Sequence, residues 1–255
     1  MLNFNNYFSK IEINLLSEPY DNIIIRSLDK SRSLLIDNKL QLSVSSNEKE
    51  KEDTIFFTSV KGNQVLKSVT IPYINDDMKF HPYFSSIGNH FFVHSGLSNE
   101  LFQIDTTNLS LFPVVVMDYG KKNFTPEIVE DIGSISDFQL LDGGYYAITA
   151  NIFQNKNYYL IESWYLRHTF LTFYNRQNKQ TTTGIDYFTN GIVISGGEWS
   201  IPKIQKITDE ALYLMVRDYR INSVIDTVYL TEESKKQLAN LKKENNAVIV
   251  KYYFK

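Results

Sequence analysis

The last apolar run of the chain, Val248-Ile249-Val250-Lys251-Tyr252-Tyr253-Phe254, sets the tightest limit on what this sequence can fold into. It is β-branched and aromatic almost throughout, the side-chain chemistry of a pleated, half-buried strand. A polar, Lys/Glu-rich stretch, Thr231 to Asn246, leads into it. Left unpaired, such a strand would template pairing with other chains, so it is expected to lie paired within a sheet. This suggests a fold that uses its last strand to close something.

The rest of the chain supplies material of the same kind. Its 255 residues suit one large all-β domain without a split. The apolar set leans on 17 Tyr and 17 Phe, and only 11 Gly and 6 Pro are available for turns. Turns must therefore rely on Asn and Asp, which tolerate left-handed backbone and bond to their own loops. Net charge is -3 and no basic stripe is visible, which argues against a nucleic-acid partner. The mixed-sign run Asn47 to Asp53 is expected to be a solvated loop. With no Cys there is no disulfide, thiolate metal site or Cys nucleophile. No stretch is long and apolar enough for a transmembrane helix. The N-terminus, Met1 to Leu16, lacks the charged and apolar regions of a signal peptide.

Strand signals recur along the chain. Ile23 to Ile25 is one short run, and Ser33–Asp37 and Leu40–Val44 flank the turn Asn38-Lys39. Thr54–Val60 and Gln64–Ile71 flank Lys61-Gly62-Asn63. Four further runs follow: Phe84–Ile87, His90–His94, Leu101–Asp105 and Leu111–Met117. The rhythm returns with Ile135–Leu141, Tyr145–Ala150, Asn157–Ile161 and Leu166–Tyr174, then Ile201–Thr208, Ala211–Arg217 and the final strand. Units of four antiparallel strands, repeating every 40–50 residues or so, mark a β-propeller-like array. About four to five blades fit this length. Two helices interrupt the strands: a short one near 125–132, with Thr125 as N-cap and Pro126 at its first position, and a surface helix near 231–246, with Thr231 as N-cap. One β-propeller-like domain over 1–255 is expected.

Three segments together resemble a known family. They are Ile194-Ser195-Gly196-Gly197-Glu198-Trp199-Ser200-Ile201-Pro202, then Leu212-Tyr213-Leu214-Met215-Val216, then the polar helix running into Asn245-Asn246-Ala247-Val248-Ile249-Val250-Lys251-Tyr252. This pattern is similar to the six-bladed β-propeller family of Bacteroidetes, largely uncharacterised and mostly predicted to be exported lipoproteins. Members often have Pro where Ala247 stands, and their ring needs more sequence than this chain holds. The resemblance implies a member shortened at the N-terminus, a fragment or a smaller ring. It implies the periplasm or outer membrane, provided that an export signal is missing from this sequence. Its motifs are structural and carry no catalytic residue across.

Few residues point to chemistry. His90 and His94 are four apart, but in a strand they are about 13 Å apart, too far to share an ion, and no metal site or cofactor is expected. Trp164-Tyr165-Leu166-Arg167-His168 is the densest candidate cluster; read as one strand, it puts Trp164, Leu166 and His168 on one face. Trp164, Arg167 and His168 at a channel mouth would suit a sugar ring or a carboxylate. Glu198 and Trp199 follow a Gly pair that allows a sharp, ligand-facing loop. No nucleophile elbow, P-loop or dinucleotide fingerprint is present. The leading expectation is a non-catalytic binding or interaction module of the cell envelope, its partner a small molecule, glycan or protein. The alternatives are a propeller hydrolase or lyase with its site at the channel mouth, and a fragment without independent activity.

Overall fold

A computed structural model describes residues 8–19, 33–47, 52–72, 83–87, 89–94, 99–123, 147–165, 168–185, 203–217, 227–239 and 246–255. Its described residues are all-β apart from short helical turns and one α-helix. They form four four-stranded antiparallel sheets of blade-like build. In three of them the strands lie side by side in chain order, as a meander of hairpins: β2(Ser33–Ile36) to β5(Gln64–Pro72), β6(Tyr83–Ile87) to β9(Ser110–Val116), and β10(Ile148–Gln154) to β13(Thr181–Ile185). The fourth takes the order β1-β16-β15-β14, where β1 is Phe8–Pro19, β14 Lys203–Ile207, β15 Ala211–Arg217 and β16 Asn246–Phe254.

The chain divides into two compact units. The first holds residues 1–27, 153–161 and 169–255; the second holds 28–152 and 162–168.

In the first unit the final strand is indeed interior. β16 pairs with β1 from Phe8↔Phe254 to Pro19↔Asn246 on one side, and with β15 from Ala211↔Tyr253 to Arg217↔Ala247 on the other. Period-2 alternation sends Val248, Val250 and Tyr252 to one face, where they meet Ile11, Leu212, Leu214 and Val216. Leu160, Leu171 and Phe173 of strands β11(Tyr158–Tyr165) and β12(His168–Asn175) complete that core. β1 is the added finding. Its sequence alternates Lys10-Ile11-Glu12-Ile13-Asn14-Leu15, the period-2 pattern of a strand. On its outer side β1 is met at Ile11: Leu230 forms a parallel bridge to it, and the Thr231 N–H donates to the Ile11 carbonyl at 3.2 Å.

Just beyond lies α1(Glu232–Ala239). Thr231 caps it as expected: its hydroxyl accepts from the Ser234 N–H at 3.2 Å and donates to the Ser234 hydroxyl at 2.9 Å. The surface helix is where the sequence placed it, and 240–245 lie outside the described residues. Asn246 already belongs to β16, pulled into the ladder opposite Pro19.

The second unit shows the same alternation. In β4(Glu52–Ser59), Asp53, Ile55 and Phe57 are buried while Thr54, Phe56 and Thr58 are half-buried. Ile55 and Phe57 pack with Ile36, Leu40, Leu42, Ile71, Val93 and Ile104. Residues 48–51 of the charge run lie outside the described residues. Its two ends are paired, Asn47 with Glu52 and Ser46 with Asp53, and Asp53 is 1% exposed. The apolar residues that follow draw the acid into the sheet with them. His94 is likewise fully buried in β7(His90–His94), whereas His90 is exposed and hydrogen-bonded to Gln103 at 3.2 Å. The outer strands β5 and β9 are blunted by bulges, by Lys67 and by Pro113, devices that discourage edge-to-edge pairing.

Turn chemistry repeats from sheet to sheet. Asp105 accepts from the N–H groups of Thr107 and Asn108, Asn175 from those of Gln177 and Asn178, and Asn155 from those of Asn157 and Tyr158. Leu109 and Lys179 then take positive φ to re-enter the next strand. The helix expected near 125–132 and the runs 23–25 and 135–141 lie outside the described residues.

Candidate functional site

The best-defined polar constellation among the described residues lies in the second unit. It is built where the chain leaves β9. Asp118 accepts from the Gly120 N–H at 2.7 Å and from the Asn123 side chain at 2.9 Å, folding Gly120–Lys122 into a single 3-10 turn. Asn123 in turn accepts from the Tyr119 N–H at 2.7 Å and from the Asn99 amide at 3.3 Å. The turn then pairs onward, with the Ala147 N–H donating to the Lys122 carbonyl at 2.8 Å.

This arrangement aims the Tyr119 ring at β10 and β11. Its hydroxyl sits 2.8 Å from the Thr149 hydroxyl and 2.6 Å from the Ser163 hydroxyl. Thr149 also reaches the Asn99 side-chain oxygen at 3.4 Å. Thr149 and Ser163 are buried. Beside them, the Asn151 amide donates to the Glu162 carboxylate at 2.6 Å.

The electrostatics are those of a neutral joint. Desolvation pushes the Tyr119 phenol above its ordinary value, partly offset by its bonds to Ser163 and Thr149. It therefore stays protonated at neutral pH. Among the described residues the Ser163 hydroxyl faces the Tyr119 phenol. The geometry can orient a neighbouring hairpin and offer hydrogen bonds.

Ser163 is the residue before Trp164, so the expected cluster adjoins this joint in sequence. The cluster does not form one strand, however. β11 ends at Tyr165 and β12 begins at His168, so Trp164 and His168 stand on the two arms of a hairpin. Shared-face logic from 164 to 168 fails because the chain reverses between them. Arg167, Glu198 and Trp199 lie outside the described residues. Tyr119, Thr149 and Asn99 were not singled out from the sequence: isolated hydroxyls and amides carry no spacing signature, and only the tertiary fold brings them together.

The first unit has a second polar surface, on the face of its sheet opposite the apolar core. Lys10 bonds Glu12 at 2.8 Å, the Tyr253 hydroxyl donates to Glu12 at 2.6 Å, and the Lys10 ammonium lies 4.2 Å from the Tyr253 ring centre. Among the described residues no group of three or more His, Asp or Glu is close enough to hold a metal ion.

No family model matches this sequence, and none of the curated proteins matches it. Among solved structures, a Bacteroides fragilis protein described as exported is similar to it, with a TM-score of 0.50 at 8% identity over 88% of this chain and 77% of that one. At that identity the likeness is one of fold: this chain shares the sheet architecture of a bacterial exported protein.

Proposed function

We propose that this chain is a non-catalytic binding module of the bacterial cell envelope, a propeller-like array that takes its ligand at the β11–β12 hairpin. One observation carries the reading. The Tyr119–Thr149–Ser163 joint is neutral and hydrogen-bonded within itself, and the candidate residues Trp164, Arg167 and His168 follow Ser163 closely in the sequence. An aromatic and two nitrogen-rich side chains close in sequence suit a sugar ring or a sugar acid, held by stacking and by a guanidinium fork on a carboxylate. The likeness to an exported protein supports an extracytoplasmic setting, and the family resemblance points the same way.

The chain has two tryptophans, Trp164 and Trp199, both among the candidate ligand residues. Intrinsic fluorescence therefore reads the proposed site without a label. Titration with neutral oligosaccharides and uronic acids should give a saturable change that survives in Trp199→Phe and vanishes in Trp164→Phe, with no product formed. Turnover of any of these compounds would replace this reading with the enzymatic one. A flat response to the whole panel would remove the glycan.

A further inference from the structure

In the first unit the turns from β10 to β11 and from β12 to β13 lie side by side, with the Arg176 N–H donating to the Asn157 carbonyl at 2.8 Å. Phe153, Tyr158, Leu160 and Phe173 pack into the core of that unit, so alternation turns Gln154, Tyr159 and Tyr174 to the opposite face. The Asn155 N–H donates to the Tyr158 carbonyl at 3.0 Å, which sets Gln154 opposite Tyr159 on the next rung. Tyr159 and Tyr174 meet across β11 and β12 with ring centres 6.1 Å apart. Each ring holds a cation. The Arg176 guanidinium lies 4.8 Å from the Tyr159 ring centre and donates to the Asn155 carbonyl at 2.9 Å. The Lys179 ammonium lies 6.0 Å from the Tyr174 ring centre. Among the described residues neither cation has a carboxylate partner; Asp209, on the next hairpin, pairs with Lys156 at 3.8 Å.

Gln154 is the odd member of this face. It is 5% exposed, and neither atom of its amide has a hydrogen-bond partner among the described residues. An apolar side chain would avoid that cost, so the amide marks a place where the chain leaves a donor and an acceptor for another molecule. Arg176 is preorganised beside it. The Tyr159 ring and the Asn155 carbonyl fix its plane, and that carbonyl takes only one of its five N–H donors. The face thus offers a fixed guanidinium fork, a second cation, two phenols and an unpaired amide. We propose that it binds an acidic sugar, a uronic acid unit, with the carboxylate on Arg176 and Lys179 and the ring hydroxyls on Gln154 and the phenols. A neutral sugar would leave both cations without a counter-charge, so the site selects for the acid. It is made of other residues than the Trp164 cluster and does not rest on that reading.

Isothermal titration calorimetry of the full-length chain with digalacturonic acid, and with the neutral digalactose of the same linkage, tests this. The titrations are made in Trp164→Phe, which removes the other candidate site, so a failure here leaves the proposed function standing. The expected result is a saturable heat with the acid alone. Its affinity should fall about tenfold or more in Arg176→Gln, the loss of one charge-assisted pair. It should fall several-fold in Gln154→Met, whose urea midpoint should rise, so that lost affinity there is not lost fold. Where Arg176→Gln loses its β-sheet circular dichroism, Arg176→Lys takes its place, since it keeps the charge and loses the fork. The proposal is overturned by no heat with the acid, by equal affinity for the neutral sugar, or by unchanged affinity in either the Arg176 or the Gln154 variant.

Discussion

The β1-β16-β15-β14 sheet and the β2–β5 sheet have the same size and the same antiparallel plan. They differ in where their strands come from. β2 to β5 are one continuous stretch folded by tight turns, the first of them through Asp37 and Asn38 at positive φ. The other sheet joins residues 8–19 to residues 203–254. Both bury an alternating apolar row, so truncations in the two cores are expected to cost similar amounts. What separates them is the loop that must close before those contacts form. The comparison teaches that a sheet's architecture says little about when it assembles; chain order decides that.

The largest test asks whether the two cores are energetically equivalent. Leu42→Ala in β3(Leu40–Asn47) and Leu214→Ala in β15 each truncate a fully buried side chain, and each should cost about 2–5 kcal/mol in urea unfolding. If Leu214→Ala costs far less, the sheet built from distant segments is the looser one and the equivalence is broken.

Kinetics should then separate what equilibrium does not. Ile11→Ala should cost about 2–5 kcal/mol and act almost wholly by speeding unfolding, since β1 can dock only after β16 exists. Ile55→Ala, within the local β3–β4–β5 hairpins, should slow folding as well. A slowed folding limb for Ile11→Ala in stopped-flow would mean that β1 belongs to the nucleus.

A third test bears on an imperfection in the first unit. Gln154 is 5% exposed, and its amide has no hydrogen-bond partner among the described residues. Gln154→Met keeps the length and removes the orphaned polar atoms, so the protein should gain about 1–3 kcal/mol. A loss of stability would show that the amide is satisfied by bound water.

The smallest effect is electrostatic. Lys10 and the Tyr253 hydroxyl hold the Glu12 carboxyl below its ordinary range, and Glu12 in turn pushes the Tyr253 phenol up to about 12. A lowered carboxylate lends stability above its unfolded pKa and loses it as pH falls through the folded value. A raised phenol lends stability below its unfolded value near 10 and loses it as pH rises toward 12. Glu12→Gln should flatten both ends of the stability–pH curve, slightly, because the groups are near the surface. An unchanged curve would show that this face of the terminal sheet contributes nothing to holding β1.

Most of the blade pattern was legible because it depends on local chemistry. Asn38, Asn63 and Asp105 announce their turns, and the β4 and β16 rows alternate or run apolar in ways that only strands use. Three things were hidden for physical reasons. β1 alternates correctly, but its partner is about 240 residues away, so nothing nearby reveals the pairing. Asp53 sits in a run of charges that looks solvated, and the burial of Ile55 and Phe57 overrides its preference for water. Trp164 and His168 were read onto one face because the reversal between them has no Gly, Pro, Asn or Asp to mark it. The Tyr119 joint had no sequence signature at all, since its hydroxyls come from three separate segments.

The pairing of β1 with β16 also has a consequence for biosynthesis. A ribosome adds about 5–20 residues per second. The first strand therefore leaves the tunnel on the order of ten to fifty seconds before the last, and in that interval Ile11 has no sheet to enter. Slow synthesis would favour an early, wrong partner for this segment, so in the cell the yield of folded protein should depend on whatever shields the newborn N-terminal strand until β16 emerges.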